Sequence, residues 1–345
     1  MAAVPAVMRA AAFAGEGRLE VVERPVPSVG DHDQALVRVE VCGICGTDLR
    51  FLAVPPVLAA RPGVVLGHEY VGEVVALSPD VRHLHLGDRV AVMPDLPCGV
   101  CRACLSGRPN LCENVVSIGG DADGGFAHYA LAPAHSLVCV PADLPADEAA
   151  FVELLSCVTG GVQKAALLPG ETALIIGAGP AGLTYLKALR VAGAGQIIVA
   201  EVSPWRSQFA LQAGADRIIN PRTEDLGAAV RRTTADGAEV VVDAVGSCLH
   251  LAIAGAARAA RIIVFGEDAR ATSTVRPYDI QHRELRILGS FIGCDQFPRA
   301  LQMLQSGALR LSGLITHRTG LDGLAGAIAE LASGRGAKGM CYPWQ

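Results

Sequence analysis

The stretch Thr172-Ala-Leu-Ile-Ile-Gly177-Ala-Gly179-Pro180-Ala-Gly182-Leu183 decides the fold. Its aliphatic run, Ala173 to Ile176, lacks the alternation of a half-exposed strand and reads as a strand buried on both faces. Three glycines in G-x-G-x-x-G spacing end the run, and helical spacing begins in A-G-L-T-Y-L-K-A-L-R-V-A. A strand, a glycine turn and a helix in that order let backbone approach a diphosphate and seat it on the helix N-terminus. Glu201 ends the next predicted strand, where a carboxylate accepts from ribose hydroxyls and repels a 2′-phosphate. Gly177, Gly179, Pro180, Gly182 and Glu201 are therefore expected to bind a dinucleotide. Glu201 favours NAD, and Arg206 just beyond it keeps NADP conceivable.

Outward from this stretch, Gln196 to Glu201, Arg217 to Ile219, Val240 to Val245 and Arg261 to Gly266 repeat the buried aliphatic texture, with helically spaced segments between them. Buried strands alternating with helices predict a doubly wound parallel sheet in an α/β domain. From Leu19 to about Val140 the runs are short and alternating, as in A-L-V-R-V-E-V and Y-V-G-E-V-V-A-L, which reads as a β-rich domain. After about Gly289 the texture is mixed again. The expected division is a β-rich domain over 1–150, completed by 290–345, around an α/β domain over 151–289. A chain of 345 residues suits two cores better than one.

The hydrophobic fraction of 51% and the 39 glycines fit a compact globular chain, and the net charge of -5 gives no pull toward nucleic acid or anionic membrane. No run approaches the ~20 apolar residues of a membrane span. Pro5 and Arg9 interrupt the apolar N-terminus, which lacks the basic leader of a secretory signal. The expectation is a cytoplasmic protein, in which cysteines serve as ligands or buried hydrophobes rather than disulfides.

Two cysteine groups stand out. L-P-C-G-V-C-R-A-C-L-S-G-R-P-N-L-C carries Cys98, Cys101, Cys104 and Cys112 on one short loop, where four thiolates can close a tetrahedron around zinc. Such a site leaves no open position and is structural. The second group, V-C-G-I-C-G-T-D-L-R, places Cys42 and Cys45 in C-x-x-C spacing with no second pair left to complete another four-sulfur site. It reads as a redox dithiol or as one edge of an open metal site, for which L-G-H-E-Y-V-G-E offers His68 and Glu69. By periodicity alone His68 is as ready to be a buried core histidine as a ligand.

These motifs in this order, together with P-G-V-V-L-G-H-E-Y-V-G-E-V-V, L-G-D-R-V-A-V, D-G-G-F-A-H-Y-A, F-V-E-L-L-S and L-R-I-L-G-S-F, resemble the zinc-dependent medium-chain dehydrogenase/reductase family over nearly the whole chain. The likeness is strongest to its polyol (sorbitol-type) and threonine dehydrogenase branches. The resemblance implies a GroES-like catalytic domain formed from both chain ends, a Rossmann domain, and a homodimer or homotetramer. Position by position, it implies that Cys45 and His68 are catalytic zinc ligands and that Glu153 is the third, where other alcohol dehydrogenases place a Cys. Glu69 matches an adjacent acid able to approach the metal, Thr47 the hydroxyl that meets the substrate oxygen, and Asp48 an acid supporting the histidine. Cys42 matches no ligand and is read as a buried thiol.

Two positions depart from the family pattern. Leu154 replaces a usual proline, so Cys157 on the same helical face competes with Glu153. Arg50 stands where many relatives have a histidine, and is expected to hold the cofactor phosphates because a guanidinium cannot accept a proton. The function implied is a zinc-dependent, NAD-linked oxidoreductase of a secondary alcohol, with two zinc ions per chain. The substrate expected is a polyol, sugar derivative or cyclitol, with threonine, another amino alcohol or an aminocyclitol as the alternative. A zinc-free quinone or enone reductase and a non-catalytic nucleotide-binding protein are the remaining alternatives.

Overall fold

The computed structural model of the chain describes residues 4–293 and 295–345. Six parallel strands form one sheet in the spatial order Arg217–Ile219, Gln196–Ala200, Thr172–Ile176, Ala238–Asp243, Ala256–Val264 and Arg286–Gly289. Numbered along the chain this is 3-2-1-4-5-6, the doubly wound order, whose direction reverses between Thr172–Ile176 and Ala238–Asp243. Leu174, Ile175, Val241 and Val242 are fully buried, as strands covered by helices on both faces must be.

Local chemistry sets the helix starts on this sheet. Gly179 caps helix Pro180–Val191, where proline at the first position loses no hydrogen bond. Ser203 and Asp225 cap helices Pro204–Gln212 and Leu226–Arg231 by accepting the amides of Arg206 and Ala228.

The second large sheet is mixed and has seven strands. Its centre is Gln34–Ile44, paired antiparallel with Glu69–Leu77, with Tyr129–Pro133 and with Lys338–Cys341. The C-terminal strands Ile315–Thr319 and Lys338–Cys341 thus close a sheet begun by the N-terminal half. Helix Val152–Ala165 lies between the sheets, and Phe151 just before it and Leu155 and Val158 on it share one apolar cluster with Val41 and Val71 of the mixed sheet and Ile175 of the parallel one. Among the described residues no helix is long and apolar enough to cross a membrane.

Candidate functional site

At the carboxyl end of the parallel sheet the glycine turn needs its glycines. Gly177 has φ +95°, and a Cβ on Gly182 would overlap the Gly177 carbonyl oxygen, so the helix can pack against the turn only without a side chain there. Glu201 is buried beside the turn. Its Oε2 accepts the Ala178 amide at 2.7 Å, and its Oε1 accepts those of Val202 and Ser203 at 2.8 and 2.7 Å. The carboxylate is fixed at the switch point, where open α/β sheets bind ligands.

Arg206, the residue that keeps NADP conceivable, spends its donors within the chain. Its Nε donates to the Gly336 carbonyl and its Nη2 to that of Leu331, both at 3.1 Å. Ser203 Oγ also donates to the Gly334 carbonyl at 3.4 Å. The Arg206 guanidinium ties the Glu201 turn to the tail of the mixed sheet.

The second group of functional side chains lies where strand Gln34–Ile44 runs into helix Gly46–Phe51. Cys45 is the residue before that helix, and Asp48 folds back so that its Oδ2 accepts the Cys45 amide at 2.8 Å. Thr47 Oγ1 lies 3.6 Å from Cys45 Sγ. The neighbouring strand brings in Glu69 opposite Gly43, with His68 just before it. A Cβ on Gly43 would overlap Glu69 Oε2, so the glycine leaves the carboxylate its place.

One ligand atom from each of Cys45, His68 and Glu69 lies within 4.8 Å of the others. Glu153, expected as the third member, stands just outside this group. Its Oε1 is 3.6 Å from the Cys157 sulfur, which donates to it. Burial, followed by Glu153, raises the Cys157 thiol well above its ordinary range. Burial also pushes Glu153 up to about 7; His68 opposes this, while Glu69 and Asp95 reinforce it. Burial works against a charge on His68, but the Cys45 sulfur holds its pKa well above the usual histidine range.

Sequence reasoning missed Lys338. Its ammonium is fully buried and donates to Glu69 Oε2. Burial works against that charge, but Glu69, Cys45 and Glu153 together more than offset it, so the pKa of the lysine is raised. A lysine inside the apolar terminal run A-K-G-M-C was the available signal. Asp95, just before the cysteine loop in sequence, was missed as well. It accepts from Ser117 Oγ at 3.0 Å and, with Met93, Glu153 and Phe297, lines a small cavity.

The donor set fits a metal. Glu69 Oε1 and Asp48 Oδ1 are buried with no hydrogen-bond partner among the described residues, an arrangement that costs free energy unless a cation or donor answers it. Thiolate, imidazole and carboxylate together suit zinc. Cys42 lies off the site, buried in the core of the mixed sheet.

The four-cysteine loop forms a separate cluster. One sulfur each from Cys98, Cys101, Cys104 and Cys112 lies within 4.8 Å of the rest, so these residues could hold a metal ion. Backbone amides point at the sulfurs: Cys98 N at Cys112 Sγ and Cys101 N at Cys98 Sγ, both at 3.3 Å. The amides of Cys104 and Glu113 bring the Cys101 thiol down to about 6. Burial instead raises the Cys104 thiol to about 12.

Arg50 lies on helix Gly46–Phe51 and reaches the other sheet, its Nη1 donating to Glu267 Oε2 at 2.8 Å.

A group of side chains able to hold a metal and a fixed carboxylate beside a glycine turn, on two unlike sheets, are the parts of a metal-dependent dehydrogenase. Residues 31–142 match the alcohol dehydrogenase GroES-like domain, and residues 180–306 match the zinc-binding dehydrogenase domain. The sorbitol dehydrogenase of Bacillus subtilis (strain 168) is 32% identical over 326 residues, covering 92% of each chain. A Sinorhizobium meliloti 1021 protein assigned to the zinc-binding dehydrogenases, solved with NADP, superposes with TM-score 0.92 at 32% identity over 98% of this chain and 100% of its own. Alcohol dehydrogenase rspB from Escherichia coli CFT073, solved with NADH, gives 0.90 at 28% identity over 98% and 100%. The chain belongs to the zinc-dependent medium-chain alcohol dehydrogenase family, and is an enzyme acting on CH–OH donors.

Proposed function

We propose that the chain oxidises a secondary alcohol of a polyol, sugar derivative or cyclitol with NAD, and reduces the matching ketone in the other direction. The observation that carries this reading is the Cys45, His68 and Glu69 cluster with Glu153 beside it. A zinc ion held by Cys45, His68 and one of the two glutamates would act as a Lewis acid on the alcohol oxygen and lower its pKa. Cys98, Cys101, Cys104 and Cys112 would hold a second, structural ion, giving two per chain. NAD, when bound, supplies the hydride acceptor.

The side chains divide the remaining work. Thr47 Oγ1, next to the Cys45 sulfur, is placed to take the proton leaving the substrate hydroxyl. Asp48 anchors Cys45 through its amide. Gly177, Gly179, Pro180 and Gly182 form the cradle for the diphosphate. Glu201 selects NAD: three amides pin its carboxylate, which cannot turn away from a 2′-phosphate but can accept from ribose hydroxyls. Arg50 faces the diphosphate, and Arg206 binds the mixed-sheet tail instead of the nucleotide. Asp95 and Glu153 give the substrate cavity a polar wall suited to hydroxyl groups. A homodimer or homotetramer is the proposed assembly, as in the family's other members.

The test is a panel of polyols, cyclitols and amino alcohols with NAD and with NADP, read by absorbance of the reduced cofactor. Turnover of a polyol or cyclitol with NAD preferred is expected. Faster turnover with NADP would remove the role given to Glu201, and activity confined to amino alcohols would replace the substrate class.

A further inference from the structure

Glu267 belongs to neither metal set nor to the glycine turn, yet it pairs with the helix that follows Cys45. It follows strand Ala256–Val264 at the carboxyl end of the parallel sheet. Its loop is held rigidly: the amides of Phe265 and Gly266 donate to the Asp243 carbonyl at 3.0 and 2.9 Å. A Cβ on Gly266 would overlap the backbone of Val245 and Gly246, and Val245 in turn lies against Gly177 of the glycine turn. The Glu267 carboxylate is therefore carried on a stack of backbone that ends at the nucleotide cradle. From there it crosses to the other sheet's helix and meets Arg50 at 2.8 Å.

We propose that Glu267 is a resident anion: it occupies Arg50 in the open crevice, and the dinucleotide's diphosphate takes its place on binding. The proposal rests on the reading above in which Arg50 meets the diphosphate. Both are anions that a guanidinium accepts through the same N–H donors, so one excludes the other at Nη1. The pair is suited to exchange. Arg50 is 26% exposed and Glu267 48% exposed, so water screens their attraction and the bond yields to a doubly charged competitor. While the pair lasts, it keeps Arg50 extended toward the crevice and lowers the positive potential that would gather other anions there. Glu267 is thus a positioning residue that tunes cofactor affinity.

The test is calorimetric titration of the full chain with ADP-ribose, which carries the diphosphate but no nicotinamide, and with NAD. Glu267→Gln keeps the size of the side chain and removes its charge. It should tighten ADP-ribose binding roughly two- to fivefold, the worth of a partly exposed ion pair. Arg50→Ala should weaken binding, and adding Glu267→Gln to Arg50→Ala should change nothing further, since no guanidinium remains to compete for. If Arg50→Ala weakens binding while Glu267→Gln leaves it unchanged or weakens it, the resident anion is overturned and the Arg50 reading stands. Unchanged affinity in Arg50→Ala overturns the Arg50 reading and the proposal with it.

Discussion

Replacing Lys338 by methionine removes an ammonium from a pair in which both side chains are fully buried, leaving the Glu69 carboxylate without its cation. Methionine fills much of the same space, so the loss is electrostatic more than a matter of packing. Breaking a buried ion pair from one side costs about 3–5 kcal/mol, because the remaining charge has lost both water and partner. In the zinc-free protein no other group takes up the charge, since Glu69 Oε1 has no hydrogen-bond partner among the described residues. With unfolding entropy of about 2.1 cal/mol/K per residue and 345 residues unfolding together, that cost lowers the melting temperature by about 4–7 °C. Adding Glu69→Gln removes the stranded charge, and Lys338→Met/Glu69→Gln should regain most of the loss. Melting followed by circular dichroism on wild type, both single variants and the double variant measures this. A Lys338→Met protein that melts with the wild type, or a double variant no better than the single one, would refute the argument that the two charges hold each other in place.

Two further outcomes follow from the same physical account. Cys98→Ser should lower the zinc content and the melting temperature together, because a structural metal contributes folding free energy directly, whereas Cys45→Ser should lose activity and zinc with little change in melting. Elemental analysis beside calorimetry checks both, and equal melting losses would contradict the division of roles. Glu171 gives a pH signature: burial pushes its carboxyl up, but the Arg261 guanidinium and the Leu168 amide more than offset this and hold it below its ordinary 4.5. A depressed carboxyl stabilises above its unfolded pKa and loses that contribution as pH falls through the folded one. Glu171→Gln should therefore cost about 1–3 kcal/mol at neutral pH, with the gap to wild type closing below about pH 4.5 in urea titrations.

Much of the molecule was legible from short stretches because its chemistry is local. The turn from Gly177 to Gly182 is one backbone structure, so its glycine spacing carries both the fold and the nucleotide cradle. The four-cysteine cluster closes within one loop, and its sulfurs meet whatever the rest of the chain does. The buried runs at Thr172–Ile176 and Ala238–Asp243 need helices on both faces, which is enough to require a parallel sheet.

What only the tertiary structure decided were the partners of charged side chains. Glu69 meets Lys338 across 269 residues, Arg50 meets Glu267 across 217, and Arg206 meets the Gly336 carbonyl across 130. No periodicity encodes such pairs. Lys338 reaches Glu69 because its strand returns to pair with Gln34–Ile44, and Arg50, on the helix after that strand, meets Glu267 at the carboxyl end of the parallel sheet. The same return brings the tail's carbonyls to Arg206. A side chain's spacing along the chain fixes which face of its own element it occupies, but its partner is set by whichever distant element the packed core brings against that face.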